Sequence, residues 1–200
     1  MPVPIIEGEC INMYEVAIIG AGPAGASAAL FTAKAGKQTI VFDSDKGMTK
    51  RAWFENFYGI SEISGPELIE TGIKQFQKFG AQYKEDTIVS IVKADEGVVL
   101  TTASGESIEA KHLIIASGIH TDLAEQLSLA TKPGTEPRIK TIFDVDAQGK
   151  TNVDGVWAAG TCTGVSVHAI ITAGDGAKVA INVISELNGE RYVDHDMMKA

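Results

Sequence analysis

Cysteine is scarce. Cys10 and Cys162 are the only two in 200 residues, they lie far apart, and no CxxC pair exists. That usage suits a reducing cytoplasm and argues against a disulfide scaffold or a cysteine-based zinc site. Basic residues are also few, 17 against 26 acidic ones, for a net charge of −9. With no Lys/Arg cluster, that balance argues against nucleic acid or an anionic membrane as partner. No apolar run approaches the roughly 20 residues that span a bilayer. The amino-terminal stretch carries two acids and no basic segment, so it does not read as a signal peptide. His112, His120 and His195 show no ligand spacing, and no metal site is expected. What remains is an ordinary globular composition, 44% hydrophobic and 22% charged, with glycine as the outlier at 21 residues.

Hydrophobic patterning organises the chain. Residues 1–13, with Pro2 and Pro4, read as an extra arm ahead of a single domain over 14–200. The apolar run 14–19 predicts a buried parallel strand. The alanine-rich stretch 23–35 predicts a helix closed by Gly36, and 38–42 predicts a second buried strand. Together they make a βαβ unit of about 30 residues. Residues 44–65 form a long irregular connection with Trp53, Phe54, Phe57 and Tyr58. A helix follows to about Lys78, with Pro66 at its start, and a brief strand at 82–83. Residues 87–93, 98–102 and 107–110 alternate as an antiparallel meander, laid over one side of the sheet. Residues 113–116 read as a separate buried parallel strand, 119–140 as an irregular connector, 156–159 as a last strand, and 167–187 as a long helix. The fold class is α/β: Rossmann-like, with a mainly parallel sheet and a small antiparallel β-meander.

The strongest local signal is Gly20-Ala21-Gly22-Pro23-Ala24-Gly25. It follows a predicted strand and opens a predicted helix, the context in which GxGxxG has a mechanism. Gly20 permits the tight turn, Gly22 lets a pyrophosphate approach the main chain, and Gly25 lets the helix pack closely on the strand. The helix start then offers unpaired N–H groups to the phosphates. Asp43, 18 residues after Gly25, ends the second strand, where a carboxylate accepts bonds from ribose hydroxyls and disfavours a 2′-phosphate.

These residues, with Glu55-Asn56-Phe57-Tyr58-Gly59, Leu113–Gly118, Thr151–Gly160 and Ala169–Ala180, resemble the FAD-binding half of the thioredoxin reductases and the wider pyridine nucleotide-disulfide oxidoreductase family. The resemblance implies an FAD cofactor. It implies contacts at Gly20, Gly22, Pro23, Ala24 and Gly25 for pyrophosphate, at Asp43 and Ser44 for ribose, and near Ile88 for adenine. Asn56, Ala116, Ser117, Gly118, Gly160, Thr161, His168, Ala169 and Ile170 then complete the cofactor site.

Departures from that family are informative. Its members build a complete NADPH domain after the strand that matches Leu113–Gly118. Here about 20 residues separate Gly118 from Ile139, with no second glycine fingerprint and no CxxC. The chain resembles a trimmed, thioredoxin reductase-related form. The family's Gly-Asp is Gly160-Thr161, its Arg-Gln is Val167-His168, and its Gly-Gly-Gln loop is replaced by Lys46–Ala52. His168 is a candidate donor to the flavin pyrimidine edge. Cys162 is a weak thiol candidate beside a small buried residue as its simpler reading.

The expected function is a small FAD-dependent oxidoreductase or electron carrier. Electrons would come from a redox partner protein or from NAD(P)H docking transiently, and a homodimer would cover the apolar surface left without an NADPH domain. The alternatives are a non-catalytic FAD-binding module, subunit or sensor, and an NAD-binding protein.

Overall fold

The computed structural model describes residues 13–194, 196 and 197. The expected arm, save Met13, lies outside them, as do Cys10 and His195. The chain runs β1 (Met13–Ile19), α1 (Pro23–Lys34), β2 (Thr39–Asp43), a 3-10 turn (Met48–Arg51), β3 (Trp53–Phe54), β4 (Ile63–Ser64), α2 (Gly65–Lys78) and β5 (Gln82–Glu85). There follow β6 (Ile88–Ala94), β7 (Gly97–Thr102), β8 (Ser107–Ile115), a 3-10 turn (Asp122–Leu127), β9 (Thr131–Pro133), β10 (Thr141–Phe143), β11 (Val156–Ala158), a 3-10 turn (Gly160–Thr163) and α3 (Ala169–Asn188). Met13 thus belongs to the first strand, not to an arm.

The main sheet has the order β5-β2-β1-β8-β7-β6, with β11 also paired to β8. Strands β5, β2, β1, β8 and β11 are parallel, whereas β6, β7 and β8 are antiparallel. Val16, Ala17 and Ile18 are wholly buried because both faces of β1 are covered. On one face, α1 and α3 pack through small residues. A Cβ on Gly176 would stand 2.0 Å from the Ala24 carbonyl oxygen, so the helices cross nearly backbone to backbone. Helix α2 starts on a reciprocal cap: the Glu67 N–H donates to Ser64 Oγ, and the Ser64 N–H donates to Glu67 Oε2.

The region 107–116 corrects the sequence reading. It is one nine-residue strand, not two. Its first part pairs with β7 at 107–110 and its last part with β11 at 113–115. Lys111 and His112 read as a break because they are polar. On the pleat, Lys111 faces solvent, and the His112 ring is taken up by Trp157, whose indole N–H donates to Nδ1 at 3.1 Å. The meander is therefore continuous with the sheet in hydrogen bonding. It still curls back over one face, where Ile88, Ile91, Val98 and Leu100 share a core with Ala17, Ile40, Phe42 and Leu113.

The connector 119–140 is also more ordered than expected. Gln126, in its 3-10 turn, covers the edge of β6: Oε1 accepts from the Ile91 N–H at 2.8 Å, and Nε2 donates to the Val89 carbonyl at 3.2 Å. Strand β9 pairs with β10 as an antiparallel ribbon. Among the described residues no helix is long and apolar enough to cross a membrane.

His112 carries a pH prediction. Burial holds its pKa below the ordinary value, and the charges near it are Glu186, Asp154, Lys150 and Lys93. Its Nδ1 must stay unprotonated to accept from Trp157. The unfolded chain protonates near pH 6.5 and the folded one only below that. Stability is therefore full above about 6.5 and declines as pH falls through the folded value. Urea midpoints measured against pH should show this slope, and His112→Gln, which keeps an acceptor without titrating, should flatten it. An unchanged slope would remove His112 from the account.

Candidate functional site

The parallel strands end in step and so set four segments side by side. The Gly20 N–H donates to the Phe42 carbonyl at 2.7 Å, the Ala116 N–H to Ile19 at 2.8 Å, and the Ala159 N–H to Ile115 at 2.9 Å. These bonds extend the ladders one residue past β1, β8 and β11. They align Asp43, the glycine turn, Ala116–Gly118 and Gly160–Thr163. Strand order reverses at β1: its crossover partner β2 lies on one side and β8 on the other. In open α/β sheets the crevice beyond the carboxyl ends at such a point is where ligands bind.

The three fingerprint glycines differ in what surrounds them. Gly20 has φ +103°, and a Cβ there would stand 2.4 Å from the Ala116 carbonyl oxygen. A Cβ on Gly25 would stand 1.8 Å from the Gly20 oxygen. Both positions are demanded by the protein's own packing. Gly22 has an extended backbone, φ −66°, and its Cβ would meet only Thr49 Oγ1, at an ordinary 3.7 Å. The fold does not require glycine at 22. The space there opens on the start of α1, where Gly22 caps the helix without a side-chain bond and Pro23 is the first residue.

Asp43 lies against the same turn. Its Oδ2 accepts from the Ala21 N–H at 2.6 Å, and its Oδ1 from the Asp45 N–H at 2.6 Å. Ser44 is exposed beside it. Ile88 faces the core and is 7% exposed. Asn56 is exposed in the loop between β3 and β4, and no side-chain hydrogen bond ties it to the glycine turn among the described residues.

On the other flank, a Cβ on Gly160, at φ +83°, would stand 2.7 Å from Ala24 Cβ, so this turn rests on the start of α1. Its N–H donates to Asp175 Oδ2 at 2.8 Å, and Asp175 also pairs with Lys178 at 2.6 Å. Asp175 therefore braces this turn. A carboxylate at a buried position of an apolar helix was the available signal. Thr161 is half-buried. Ser117 Oγ donates to the His120 carbonyl at 2.5 Å, and Gly118 has φ +69°.

Cys162 is fully buried, and its thiol lies within 3.2 Å of the Ala159 carbonyl and 3.4 Å of the Ile115 carbonyl. Burial pushes its pKa up to about 12, so it stays a protonated thiol packed in the core, not a nucleophile. His168 caps α3. Its carbonyl accepts from the Ile171 and Thr172 N–H groups, and its exposed ring makes a 2.8 Å bond between Nδ1 and Ser166 Oγ. Ala169 is buried and Ile170 is exposed.

The surface also carries two clefts. One of about 280 Å³, lined by Met13, Tyr14, Gln38, Thr39, Gly80 and Gln82, is at the amino ends of β1, β2 and β5. It faces away from every fingerprint residue, and the strand-end crevice has the better chemical claim. Another of about 250 Å³ adjoins the Gly160 turn and includes Thr163, Asp175 and Lys178.

A family model described as pyridine nucleotide-disulphide oxidoreductase matches residues 14–128. Thioredoxin reductase of Aquifex aeolicus is 35% identical over 113 residues, 54% of this chain and 34% of the relative. That of Peptoclostridium litorale is 38% identical over 117 residues, 56% and 37%. The chain thus spans about a third of the length of these relatives. A solved thioredoxin reductase from Gloeobacter violaceus superposes with a TM-score of 0.79 at 16% identity, over 93% of this chain and 99% of that one, a likeness of fold. The glycine turn, Asp43 and the whole meander lie inside the matched residues, which make up more than half of the sequence, and the chain belongs to the pyridine nucleotide-disulphide oxidoreductase family.

Proposed function

We propose that this chain is an FAD-binding flavoprotein that works as an oxidoreductase or electron carrier without an NADPH domain of its own. The observation that carries the reading is Gly22, a fingerprint glycine for which the protein's own packing has no need, placed at the start of α1 where the strand ends meet. The residues present fit the group. N–H groups in the first turn of α1 would take the diphosphate, and Asp43 would turn a carboxylate oxygen to the adenosine ribose. The Ile88 main chain would lie by the adenine. Ala116–Gly118, Asn56, Gly160, Thr161 and the His168–Ile170 segment would border the ribityl chain and ring. When bound, the flavin supplies a carrier that can hold one or two electrons.

The chain's own residues then hold and tune that group. Gly160, braced by Asp175, keeps main chain close to α1, and Thr161 offers a hydroxyl where the family has a carboxylate. His168 offers a ring nitrogen at the start of α3, suited to negative charge. The sealed thiol of Cys162 and the lack of a CxxC support a route in which any disulfide belongs to a partner. Electrons would come from a redox partner protein or from transient NAD(P)H, across a connector that is short where relatives carry a domain. A homodimer in the cytoplasm fits this reading. The same features suit a second one, a non-catalytic FAD module or sensor.

Heat release of bound ligand followed by mass measurement should find FAD, about one per chain. A colourless protein that takes up no FAD in excess rejects the proposal, and NAD in its place would identify an NAD binder. Rapid mixing of the yellow protein with NADH and NADPH separates an enzyme, which bleaches, from a module or partner-fed carrier, which does not.

A further inference from the structure

We infer that the tip of the β9–β10 ribbon and the first turn of α3 form the docking surface for an acidic electron-carrier protein. The inference rests on the flavoprotein reading above and names the chemistry of the partner that would supply its electrons. Residues 131–143 carry three basic side chains, Lys132, Arg138 and Lys140, and one acid, Glu136, a net charge of +2 in a chain of −9. Lys132 is paired with Asp144 at 2.7 Å. Arg138 and Lys140 are exposed and, among the described residues, have no ion-pair partner.

The ribbon stands beside the Gly160 turn. A Cβ on Gly164 would lie 2.5 Å from Ile142 Cδ1 and 3.9 Å from Thr135 Oγ1. From Gly164 the chain runs directly to Val167, and Val167, Ile170 and Ile171 share one exposed apolar face at the start of α3, at i, i+3 and i+4. The ribbon tip has a costly shape. Arg138 has φ +68°, a region where glycine or asparagine sits at less cost. Main chain fixes it there: the Gly134 N–H donates to the Lys140 carbonyl at 3.0 Å, and the Ile139 N–H to the Glu136 carbonyl at 3.1 Å. The turn does not call for an arginine, and its charge does. An apolar centre rimmed by unpaired cations matches a partner with an acidic rim. A second copy fits worse, because a twofold contact would bring the same cations together. Electron-transfer contacts need little area, and opposite charge speeds the encounter. Two reduced one-electron carriers, each oxidised in turn, together with two protons from water, would reduce the bound flavin fully.

The test uses the FAD-loaded protein and two probes, an acidic plant-type 2Fe–2S ferredoxin and a basic c-type cytochrome. Both are oxidised, so that calorimetry reads binding without turnover. Ferredoxin should bind, and its affinity should fall about tenfold or more between about 20 and 200 mM salt. Arg138→Glu with Lys140→Glu should remove that binding while flavin content stays unchanged. Arg138→Asn, which suits the left-handed tip, should weaken ferredoxin by about threefold without lowering the urea midpoint. If the loaded protein binds cytochrome and not ferredoxin, or if the doubly substituted protein binds ferredoxin within about twofold of wild type, the inference fails while the flavoprotein reading stands. It fails also if the double substitution instead splits a dimer in light scattering, which assigns the face to a second copy. A chain that takes up no FAD overturns both.

Discussion

Gly22→Val is expected to give a folded protein that has lost FAD. Its Cβ meets nothing closer than 3.7 Å, and its backbone is in an extended region open to any residue. The unliganded stability should therefore stay within about 0.5 kcal/mol of wild type. The added methyl groups would stand where the diphosphate approaches the N–H groups of α1. A loss of two decades in affinity or more, about 3 kcal/mol, is the expected size. Gly25→Ala is the contrasting variant: its Cβ would meet the Gly20 oxygen at 1.8 Å, so the turn and the fold should fail together. Urea denaturation without ligand, and a flavin titration followed by visible absorbance, separate the two effects. A Gly22→Val protein that binds FAD as wild type does would show that the turn is not the phosphate site.

Gly176→Ala is expected to cost about 3 kcal/mol, the upper part of the range for overpacking. Its Cβ would press on the main chain of Ala24, 2.0 Å from the oxygen and 2.8 Å from Cα, and main chain cannot swing aside. Helices α1 and α3 would have to separate, and the Asp175–Gly160 bond would be drawn out with them. Gly174→Ala, two residues earlier in the same helix, meets nothing within 4 Å. It should instead stabilise by several tenths of a kcal/mol, the helix propensity gained on replacing glycine. Equal urea midpoints for the two variants would refute the close crossing, and with it the account of how the two turns are held together.

The site was legible in part. Strand, glycine turn and helix start lie within about 12 residues, so the order strand, turn, helix over residues 14–25 could be read directly. The position of Asp43 at the end of β2 was legible for the same reason. The division of β8 into two strands failed because Lys111-His112 is polar in a run whose partner, Trp157, lies 45 residues away. The connector failed likewise: Gln126 works by capping an edge 35 residues upstream, which no local pattern records.

By itself the sequence determined the α/β class, the βαβ unit with its glycine-rich turn, and the lack of a CxxC pair. Those follow from periodicities and steric needs that act over a few residues. Only the tertiary structure decided which glycine faces open space, that Cys162 is sealed in the core, and that Asp175 braces Gly160. Each is a contact between segments brought together by sheet order and helix crossing, and its energy depends on distances that exist only once the chain has folded.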